Sequence, residues 1–371
     1  MIIVLLIGIL IAMAVCRVLY QKLWAKELSV ELTFNQPYVY AGEWTQLSEK
    51  IENRKKMPVS PVEVRFRMKK GIQFRETENT SISDFVYKRD IYSLVGNQRI
   101  TRTLYMLCQK RGLYNIEDVS TVTYSLLQEK LYENAQNTEA KIYVYAKRTD
   151  VSDILRACDN LLGDKESNRK YLEDPFAFAS IREYTMQDPM KNINWKASAK
   201  TGGLMVNTYT SMQNERMMIY LDIEDSGILK KEHLREDSIS VAATLFQKLL
   251  NKGTEVGICV NLYDENKNVL YLPPSRKKSQ RTILEQALAG DLHDDNIADF
   301  ERELDYPMED AIPVIISKNV TQQRVRRVEE FVGNKIKGVW VIPYDKGDYD
   351  KGEYQDIHSE QFVFVKREVE Q

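Results

Sequence analysis

Residues 217–222 have the sequence MMIYLD, and they are the clearest indication of the fold of the second half of the chain. Five apolar or aromatic residues in succession are typical of a strand that is buried on both faces. Residues 237–252 then place apolar side chains at the spacing of an amphipathic helix, and Gly253 follows as its stop. The alternation continues with strands expected at 256–260, 312–316 and 339–342 and helices at 279–289 and 321–331. This order predicts a Rossmann-type α/β domain with a mostly parallel sheet and helices on both faces.

The first half of the chain has a different pattern. Between residues 28 and 146, apolar and polar side chains alternate, as in 62–68 and 141–145. This period of two is typical of half-buried strands, and turn-forming residues separate the runs. Short strands at this spacing predict an antiparallel β-sandwich. The sequence therefore predicts a multi-domain chain with an anchor at 1–22, a β-sandwich at 28–148 and the α/β domain at 149–371.

The chain begins with an apolar segment. Residues 1–16 contain no charged side chain, and a helix of that length spans roughly 24 Å of the ~30 Å hydrocarbon core of a bilayer. Arg17, Lys22 and Lys26 follow the segment and no basic residue precedes it. The positive-inside rule then predicts a single-pass anchor in the cell membrane with the bulk of the chain in the cytoplasm. A cleaved signal peptide is the alternative, but it favours a basic start and a small-residue cleavage site.

The composition excludes several functional classes. The formal net charge of -2 does not indicate a nucleic-acid partner, which requires a basic surface. None of the four cysteines forms a CxxC pair, so the sequence indicates buried thiols in a reducing compartment rather than a zinc site or a disulfide framework. No phosphate-binding loop, nucleophile elbow or dinucleotide-binding glycine motif is present, so the sequence identifies no small-molecule substrate.

A second informative stretch lies at residues 182–200. It contains Arg182-Glu183-Tyr184, Asp188, Lys191 and Ile193-Asn194-Trp195-Lys196. This spacing resembles the signature of the domain-of-unknown-function family 58, with Gln187 in place of Gly and Lys191 in place of Arg. The Lys110-Arg111-Gly112-Leu113-Tyr114 element matches a second motif of that family. The resemblance implies a von Willebrand factor A-like domain in a membrane protein without enzymatic activity. It also implies cooperation with a MoxR-type AAA+ ATPase in membrane-associated assembly or stress response.

The signature segment has two compatible interpretations. In the structural one, Arg182, Asp188 and Lys191 form a single ion-pair cluster, and Trp195 is a buried core anchor. In the functional one, the segment is a docking surface for a partner protein, because Arg, Tyr and Trp are common interface hot spots. The docking set is Arg182, Glu183, Tyr184, Asp188, Lys191, Asn194, Trp195 and Lys196.

The carboxyl end of the strand at 217–222 is a candidate ligand site, since ligands of open α/β sheets bind beyond the carboxyl ends of strands. Asp222, Glu224 and Ser226 follow there. They resemble the Asp-x-Ser-x-Ser metal-ion-dependent adhesion site of von Willebrand factor A domains, with Glu224 in place of the middle Ser. The resemblance implies a degenerate site whose cation would be Mg²⁺. We expect no other cofactor.

Two further interpretations of this site require no metal. Asp222 and Ser226 can cap the following helix, or Lys318 can pair with Asp222 or Glu224 and replace the ion. Three arginines lie in the predicted helix at 321–331, for which Thr321 is the expected cap. We interpret them as its solvent-exposed face: Arg324, Arg326 and Arg327.

The expected function is that of a membrane-anchored, non-enzymatic adaptor. One alternative is a metal-dependent hydrolase that uses Asp222, Glu224 and Asp225 on a cation, although the sequence offers no positioned base or nucleophile for it. Another is an adhesion module that faces the outside of the cell, with the apolar segment as an uncleaved export signal.

Overall fold

The computed structural model describes residues 2–124, 131–136, 139–168, 178–186, 188–209, 216–225, 230–263, 267–290, 292, 294–300, 311–333, 336–345 and 357–369. The chain divides into two compact units. The N-terminal unit comprises Met1–Arg148 together with Thr282–Asp291, and the C-terminal unit comprises Thr149–Arg281 together with Leu292–Gln371.

Helix α1 (Ile2–Leu23) confirms the apolar helix expected at the start of the chain. Its segment Leu5–Leu23 is long and apolar enough to cross a membrane, a criterion that a signal sequence near the N-terminus also meets. The retained anchor and its orientation therefore stay predictions. The expectation of buried thiols is confirmed for Cys108, Cys158 and Cys259, but Cys16 is exposed on this helix.

The N-terminal unit is rich in antiparallel sheet. Its described strands are β1 (Leu28–Phe34), β2 (Tyr38–Tyr40), β3 (Trp44–Asn53), β4 (Val59–Lys69), β5 (Ile72–Phe74), β6 (Thr80–Ile82), β7 (Phe85–Leu94), β8 (Gln98–Cys108), β9 (Gly112–Asn115), β10 (Glu117–Tyr124), β11 (Leu131–Ala135) and β12 (Lys141–Tyr145). They form sheets in the orders β1-β3-β8-β5, β11-β10-β4-β7-β6 and β2-β12-β9.

The two larger sheets share a core. Every second side chain is buried along β3, and Leu47 and Ile51 on it belong to the same apolar cluster as Val64 and Phe66 on β4. This alternation is the period of two that the sequence shows, and it confirms a sandwich-like antiparallel region. The parallel pairing of β2 with β12 is an exception. These strands are far apart in the sequence, so no hairpin imposes an antiparallel direction on them.

The Lys-Arg-Gly-Leu-Tyr element, residues 110–114, forms the corner that leads into β9 and the first three residues of that strand. Tyr114 is buried, and its hydroxyl donates to the Lys110 carbonyl at 2.9 Å. The Arg111 guanidinium donates to the carbonyls of Leu288 and Gly290 within the same unit. The element therefore fixes its own corner and also binds the end of the 282–291 segment.

The C-terminal unit contains the predicted alternation of strands and helices. Its described elements are α2 (Ser152–Asn168), β13 (Phe178–Glu183), α3 (Trp195–Thr201), β14 (Met205–Tyr209), β15 (Arg216–Leu221), α4 (Glu232–Lys252), β16 (Glu255–Tyr263), β17 (Val269–Ser275), α5 (Ser279–Leu288, of which residues 282–288 belong to the N-terminal unit), β18 (Ile312–Ile316), α6 (Gln322–Val332), β19 (Gly338–Tyr344) and β20 (Phe362–Glu368).

The main sheet of this unit has the order β17-β16-β15-β18-β19-β20. All neighbouring strands run parallel except β17, which pairs with β16 in the antiparallel direction and which the sequence analysis did not predict. The sheet is therefore mixed. The central strand β15 is buried along residues 217–221, as its apolar run predicts.

Helices cover this sheet. Met218 and Tyr220 of β15 pack in one cluster with Val325 and Val328 of α6. Successive strand side chains point to opposite faces, and α4 packs against β15 and β16. Helix α4 ends where predicted, because Gly253 adopts φ 87° and its N–H donates to the last turn of the helix. The parallel pairing of β15 with β16 and with β18 places the carboxyl ends of these three strands side by side.

Candidate functional site

A buried carboxylate, Asp222, lies at the carboxyl end of β15. Its backbone N–H donates to the Ile316 carbonyl at 2.9 Å, which extends the ladder between β15 and β18 by one residue. The side chain is thereby held between the ends of neighbouring strands and is almost fully shielded from solvent. A carboxylate in that position is stable only if donors surround it.

Neighbouring residues supply those donors. Asp222 Oδ1 accepts from the Glu224 backbone N–H at 2.9 Å and from Asn261 Nδ2 at 3.1 Å. Asp222 Oδ2 accepts from Ser317 Oγ at 2.7 Å and from Asn319 Nδ2 at 3.4 Å. Asn261 belongs to β16, whereas Ser317 and Asn319 follow β18. The carboxylate is therefore a structural junction of three adjacent strands.

A guanidinium group completes this junction. Arg324 Nη1 lies 3.0 Å from Asp222 Oδ2, and Nη2 lies 3.4 Å from Glu224 Oε2. Arg324 is in the first turn of α6, where its backbone N–H donates to the capping Thr321 Oγ1 at 3.2 Å. The predicted cap is thus confirmed, but the interpretation of Arg324 as a solvent-exposed residue is wrong. The cap directs this side chain back toward the ends of the strands.

Lys318 makes a different ion pair from the one expected. Its Nζ lies 2.5 Å from Asp225 Oδ1, and both side chains are buried. The prediction that Lys318 pairs with Asp222 or Glu224 is therefore wrong. The cation that pairs with those two carboxylates is Arg324. Successive side chains of an extended segment point in opposite directions. Because Ser317 points toward Asp222, the next residue, Lys318, points away from it.

The helix-capping interpretation is also wrong for Asp222. Helix α4 begins only at Glu232, with Lys231 as its N-cap residue. The Lys231 backbone N–H donates instead to Asp225 Oδ2 at 2.7 Å. Ser226, the third predicted metal ligand, lies outside the described residues. We refer to Asp222, Glu224 and Asp225 with the cations Arg324 and Lys318 as the acidic edge.

The acidic edge has its own counter-charges. Burial raises the pKa of Glu224, the negative charge of Asp222 adds to this effect, and Arg324 opposes it. A divalent cation placed here would meet a guanidinium and an ammonium group at the carboxylates that would have to bind it. Among the described residues, no group of His, Cys, Asp and Glu side chains has an arrangement that could hold a metal ion.

A second ion-pair group borders the same end of the sheet. Asp345 follows β19, and its Oδ1 lies 2.5 Å from His233 Nε2, while Oδ2 lies 3.3 Å from Lys231 Nζ. Burial alone would raise the pKa of Asp345, but the bonds to His233 and Lys231 outweigh burial and lower it. The sequence analysis missed this group because its members are far apart in the chain.

The signature segment folds as a small hairpin with its own two-stranded sheet. Strands β13 and β14 pair in the antiparallel direction, and the chain between them forms a short 3₁₀ helix, Met190–Asn192, followed by α3. We call β13, the residues up to β14, and β14 itself the signature hairpin. Ile193 and Val206 are buried in it and form an isolated bridge.

A two-pronged ion pair stabilises the turn of the hairpin. Arg182 Nη2 and Nη1 donate to the Asp188 carboxylate at 2.6 and 2.8 Å. The Thr185 backbone N–H and hydroxyl each donate to Asp188 Oδ2 at 2.8 Å. The bonds from Arg182 and then from Thr185 hold the pKa of Asp188 well below its usual range. The predicted Arg182–Asp188 pair is confirmed.

Asn194 organises the second part of the hairpin. Its Oδ1 accepts from the Ala197 N–H at 3.0 Å and so caps α3, while its Nδ2 donates to Asn207 Oδ1 at 2.8 Å. Ser198 Oγ in turn donates to the Asn194 carbonyl and accepts from the Met205 N–H, both at 2.8 Å. This network joins α3 to β14, so the signature asparagine has a structural role.

Two structural expectations for this segment are wrong. Trp195 is not a core anchor, because 70% of its surface is exposed. Lys191 forms no ion pair with any described residue and is also exposed, so it does not join Arg182 and Asp188. The physical reason is that a two-stranded hairpin with one short helix is too small to bury a tryptophan.

Other apolar side chains of the hairpin are exposed as well. Met186 is fully exposed and Met190 is 77% exposed. Glu183 and Lys196 also face solvent, while Tyr184 is half-buried. The predicted docking residues therefore divide into a frame (Arg182, Asp188 and Asn194) and exposed groups around Trp195.

These features coincide with a known family. Residues 180–340 match the family described as Protein of unknown function DUF58. The match begins within β13 and ends within β19, so it contains the acidic edge and all but the first two residues of the signature hairpin. It confirms, for this part of the chain, the resemblance seen in the signature. No curated protein matches the chain.

Solved structures were compared with the whole chain. The CARDB domain of a Pyrococcus furiosus protein is 17% identical and covers 32% of this chain and 91% of its own, with a TM-score of 0.23. A cohesin of Acetivibrio cellulolyticus is 17% identical and covers 32% and 98%, with a TM-score of 0.24. A non-cellulosomal cohesin from Archaeoglobus fulgidus is 10% identical and covers 35% and 97%, with a TM-score of 0.22. We draw no argument from similarities at this level.

The matched region also contains polar groups of the acidic edge that the sequence analysis missed. Asn261 carries no recognisable motif, and only its alignment with the end of β15 brings it to Asp222. The position of Arg324 could have been predicted from the sequence. The predicted cap at Thr321 places Arg324 in the first turn of α6, next to the strand ends. The combination of a cap and a nearby carboxylate would have favoured an ion pair.

Proposed function

We propose that this protein is a membrane-anchored, non-enzymatic adaptor whose signature hairpin docks onto a partner protein. The single observation that carries this proposal is the exposure of Trp195, together with Met190, on a hydrogen-bonded frame. Ordered aromatic side chains lose little conformational entropy on binding and are frequent hot spots. The proposed partner is a MoxR-type AAA+ ATPase, and the proposed process is membrane-associated assembly or stress response.

The proposal includes a von Willebrand factor A-like identity for the C-terminal unit. Its support is the central parallel order β16-β15-β18-β19 and the carboxylate, Asp222, at the end of the middle strand. In this fold the edge beyond the strand ends is the usual ligand site. Here Arg324 occupies the position next to Asp222 that a cation would need. The proposed adaptor therefore works without a divalent cation at the acidic edge.

The same geometry disfavours a metal-dependent hydrolase. That reaction needs carboxylates that are free to bind a cation and a base positioned against a substrate. Asp222 and Asp225 already have short ion pairs to Arg324 and Lys318. The described part of the acidic edge contains no hydroxyl nucleophile next to a free base, since Ser317 Oγ donates to Asp222.

The proposed location rests on α1 and on the charges that follow its apolar segment. Leu5–Leu23 is long enough to span the bilayer. Arg17, Lys22 and Lys26 lie on the C-terminal side of the apolar run at 1–16, which by the positive-inside rule puts both units in the cytoplasm.

The experiment is an affinity pull-down of the full-length protein from gently solubilised native membranes. We expect recovery of the AAA+ ATPase, and we expect Trp195→Ala to lower it by more than ~10-fold, as for an interface hot spot. Trp44→Ala is the matched control, because Trp44 is also an exposed tryptophan but lies on β3 in the other unit. Equal recovery of the ATPase with wild type, Trp195→Ala and Trp44→Ala would reject the proposal. So would the absence of the ATPase when the bait protein is folded.

A second measurement addresses the cation. Thermal unfolding of the purified full-length protein should give the same midpoint with 10 mM MgCl₂ (about ten times a weak, ~1 mM affinity) as with EDTA. An increase in the midpoint that is specific to Mg²⁺ and absent from Asp222→Asn would contradict the internal-cation proposal. It would also restore the hydrolase as the leading alternative.

A further inference from the structure

The exposed lysines around Trp195 are unpaired within the described part of the chain. Lys191, Lys196 and Lys200 are exposed, and no ion pair joins any of them to a described residue. Asp188, an acid of the same hairpin, already accepts two bonds from Arg182. Their positive charges are therefore available to a partner rather than used within the fold.

The charge of the signature hairpin is opposite to that of the chain. Residues 178–209 contain four basic side chains, Arg182, Lys191, Lys196 and Lys200, and two acidic ones, Glu183 and Asp188, which gives +2 (4 minus 2). The whole chain has a formal charge of -2. A local excess of this kind favours association with a surface of opposite charge.

Helix α3 places these charges beside the tryptophan. Lys196 and Lys200 are four residues apart and lie on the same face of the helix. Trp195 and Ala199 form the adjacent stripe by the same spacing, and no residue of α3 is buried. The helix therefore presents an apolar stripe that is flanked by ammonium groups.

We infer that the surface that receives Trp195 is an acidic face of a partner protein, with an apolar recess bordered by Asp or Glu side chains. This inference rests on the proposed docking function and specifies its partner. The frame of Arg182–Asp188 and Asn194 holds the stripe in one geometry, which suits a shaped protein recess. Close opposite charges there would favour both the rate and the selectivity of association.

The test places a photo-cross-linking benzoylphenylalanine at Met190 of the full-length protein in its native membrane. Met190 is an exposed residue of the same hairpin, in the 3₁₀ helix that precedes α3, so Trp195 is kept. Cross-linked peptides are identified by mass spectrometry. The charge-reversal variant is Lys196→Glu with Lys200→Glu, and its matched control is Lys277→Glu with Lys278→Glu, two exposed lysines elsewhere in the C-terminal unit. Lys196→Ala with Lys200→Ala is a milder variant, and the thermal midpoint of each variant checks folding.

The expected result is a cross-link to a protein peptide that is rich in Asp and Glu. Its yield should fall by more than ~10-fold in the Lys196/Lys200 reversal, less in the alanine variant, and remain unchanged in the Lys277/Lys278 control. A protein cross-link that survives the reversal, or that falls equally in the control, rejects the acidic face and leaves the adaptor function standing. Cross-links to lipid alone, or no cross-link at all, would reject both the acidic face and the adaptor function.

Discussion

A buried carboxyl group in the N-terminal unit gives a sharp prediction about pH and stability. Glu49 lies on β3 with 1% of its surface exposed, and neither of its carboxyl oxygens has a hydrogen-bond partner among the described residues. The cations Arg102 and Lys88 form ion pairs with Asp90 instead. Arg102 Nη1 lies 2.8 Å and Lys88 Nζ lies 3.8 Å from Asp90 Oδ1. Glu49 is thus a buried acid without a dedicated counter-charge.

Its environment keeps this group protonated at neutral pH. Burial raises the pKa of Glu49 from 4.5 to about 8, and the charge of Asp90 acts in the same direction. The Tyr92 hydroxyl and the Arg102 guanidinium act in the opposite direction but do not compensate for burial. Desolvation is therefore the dominant effect.

The cost follows from the linkage between protonation and folding. One pKa unit corresponds to about 1.4 kcal/mol. The folded state binds the Glu49 proton more tightly than the unfolded state, so stability falls as the pH rises from 4.5 to about 8. Relative to pH values below 4.5, the free energy of unfolding is lower by roughly 3 kcal/mol at pH 7 and by roughly 5 kcal/mol above pH 8. Glu49→Gln removes this titration and should stabilise the unit at pH 7 by about 3 kcal/mol.

The assay is native-state hydrogen exchange of β3 peptides in the full-length protein in detergent, corrected for intrinsic rates between pH 5 and 8. The free-energy difference between Glu49→Gln and wild type should grow with pH. Glu31→Gln is the control, because Glu31 is an exposed acid on β1 that pairs with Lys50. A pH-independent difference, or destabilisation by Glu49→Gln at pH 7, would show that Glu49 is ionised and paired, and would refute the reasoning.

Three further predictions concern the C-terminal unit. Arg324→Met should destabilise this unit by about 3–5 kcal/mol in urea unfolding, because the substitution leaves Asp222 buried without its counter-charge. Adding Asp222→Asn should recover much of that stability. Strictly additive effects in the double mutant would contradict the pairing. Asn194→Ala should cost about 1 kcal/mol by removing the α3 cap, measured as faster amide exchange in α3, whereas unchanged exchange would argue against the cap. The lowered pKa of Asp345 predicts stability that is present above its ordinary range and lost as the pH falls through the lowered value. Asp345→Asn should abolish this acid-side slope in thermal unfolding, and an unchanged slope would assign it to other groups.

Much of the fold could be predicted because its signals are local. The apolar run at 217–222, the helical spacing before Gly253 and the cap at Thr321 each depend on residues a few positions apart, and all three elements form as expected. The signature also predicted the Arg182–Asp188 pair, whose members are six residues apart. Edge strand β17 was missed because its sequence, with two prolines, lacks a clear strand period.

From the amino-acid sequence alone, the central strands and helices of the C-terminal unit and the place of Asp222 at a strand end could be predicted, since periodicity and capping act within one or two turns of chain. The groups that surround this carboxylate could be identified only from the folded chain. Its partner Arg324 is 102 residues away and replaces the expected Lys318, because α6 begins beside the strand ends. Trp195 likewise looks like a core residue in the sequence, yet it is exposed. Burial and ion pairing depend on distances between remote segments, and those distances are set by how the sheet, helices and hairpin pack.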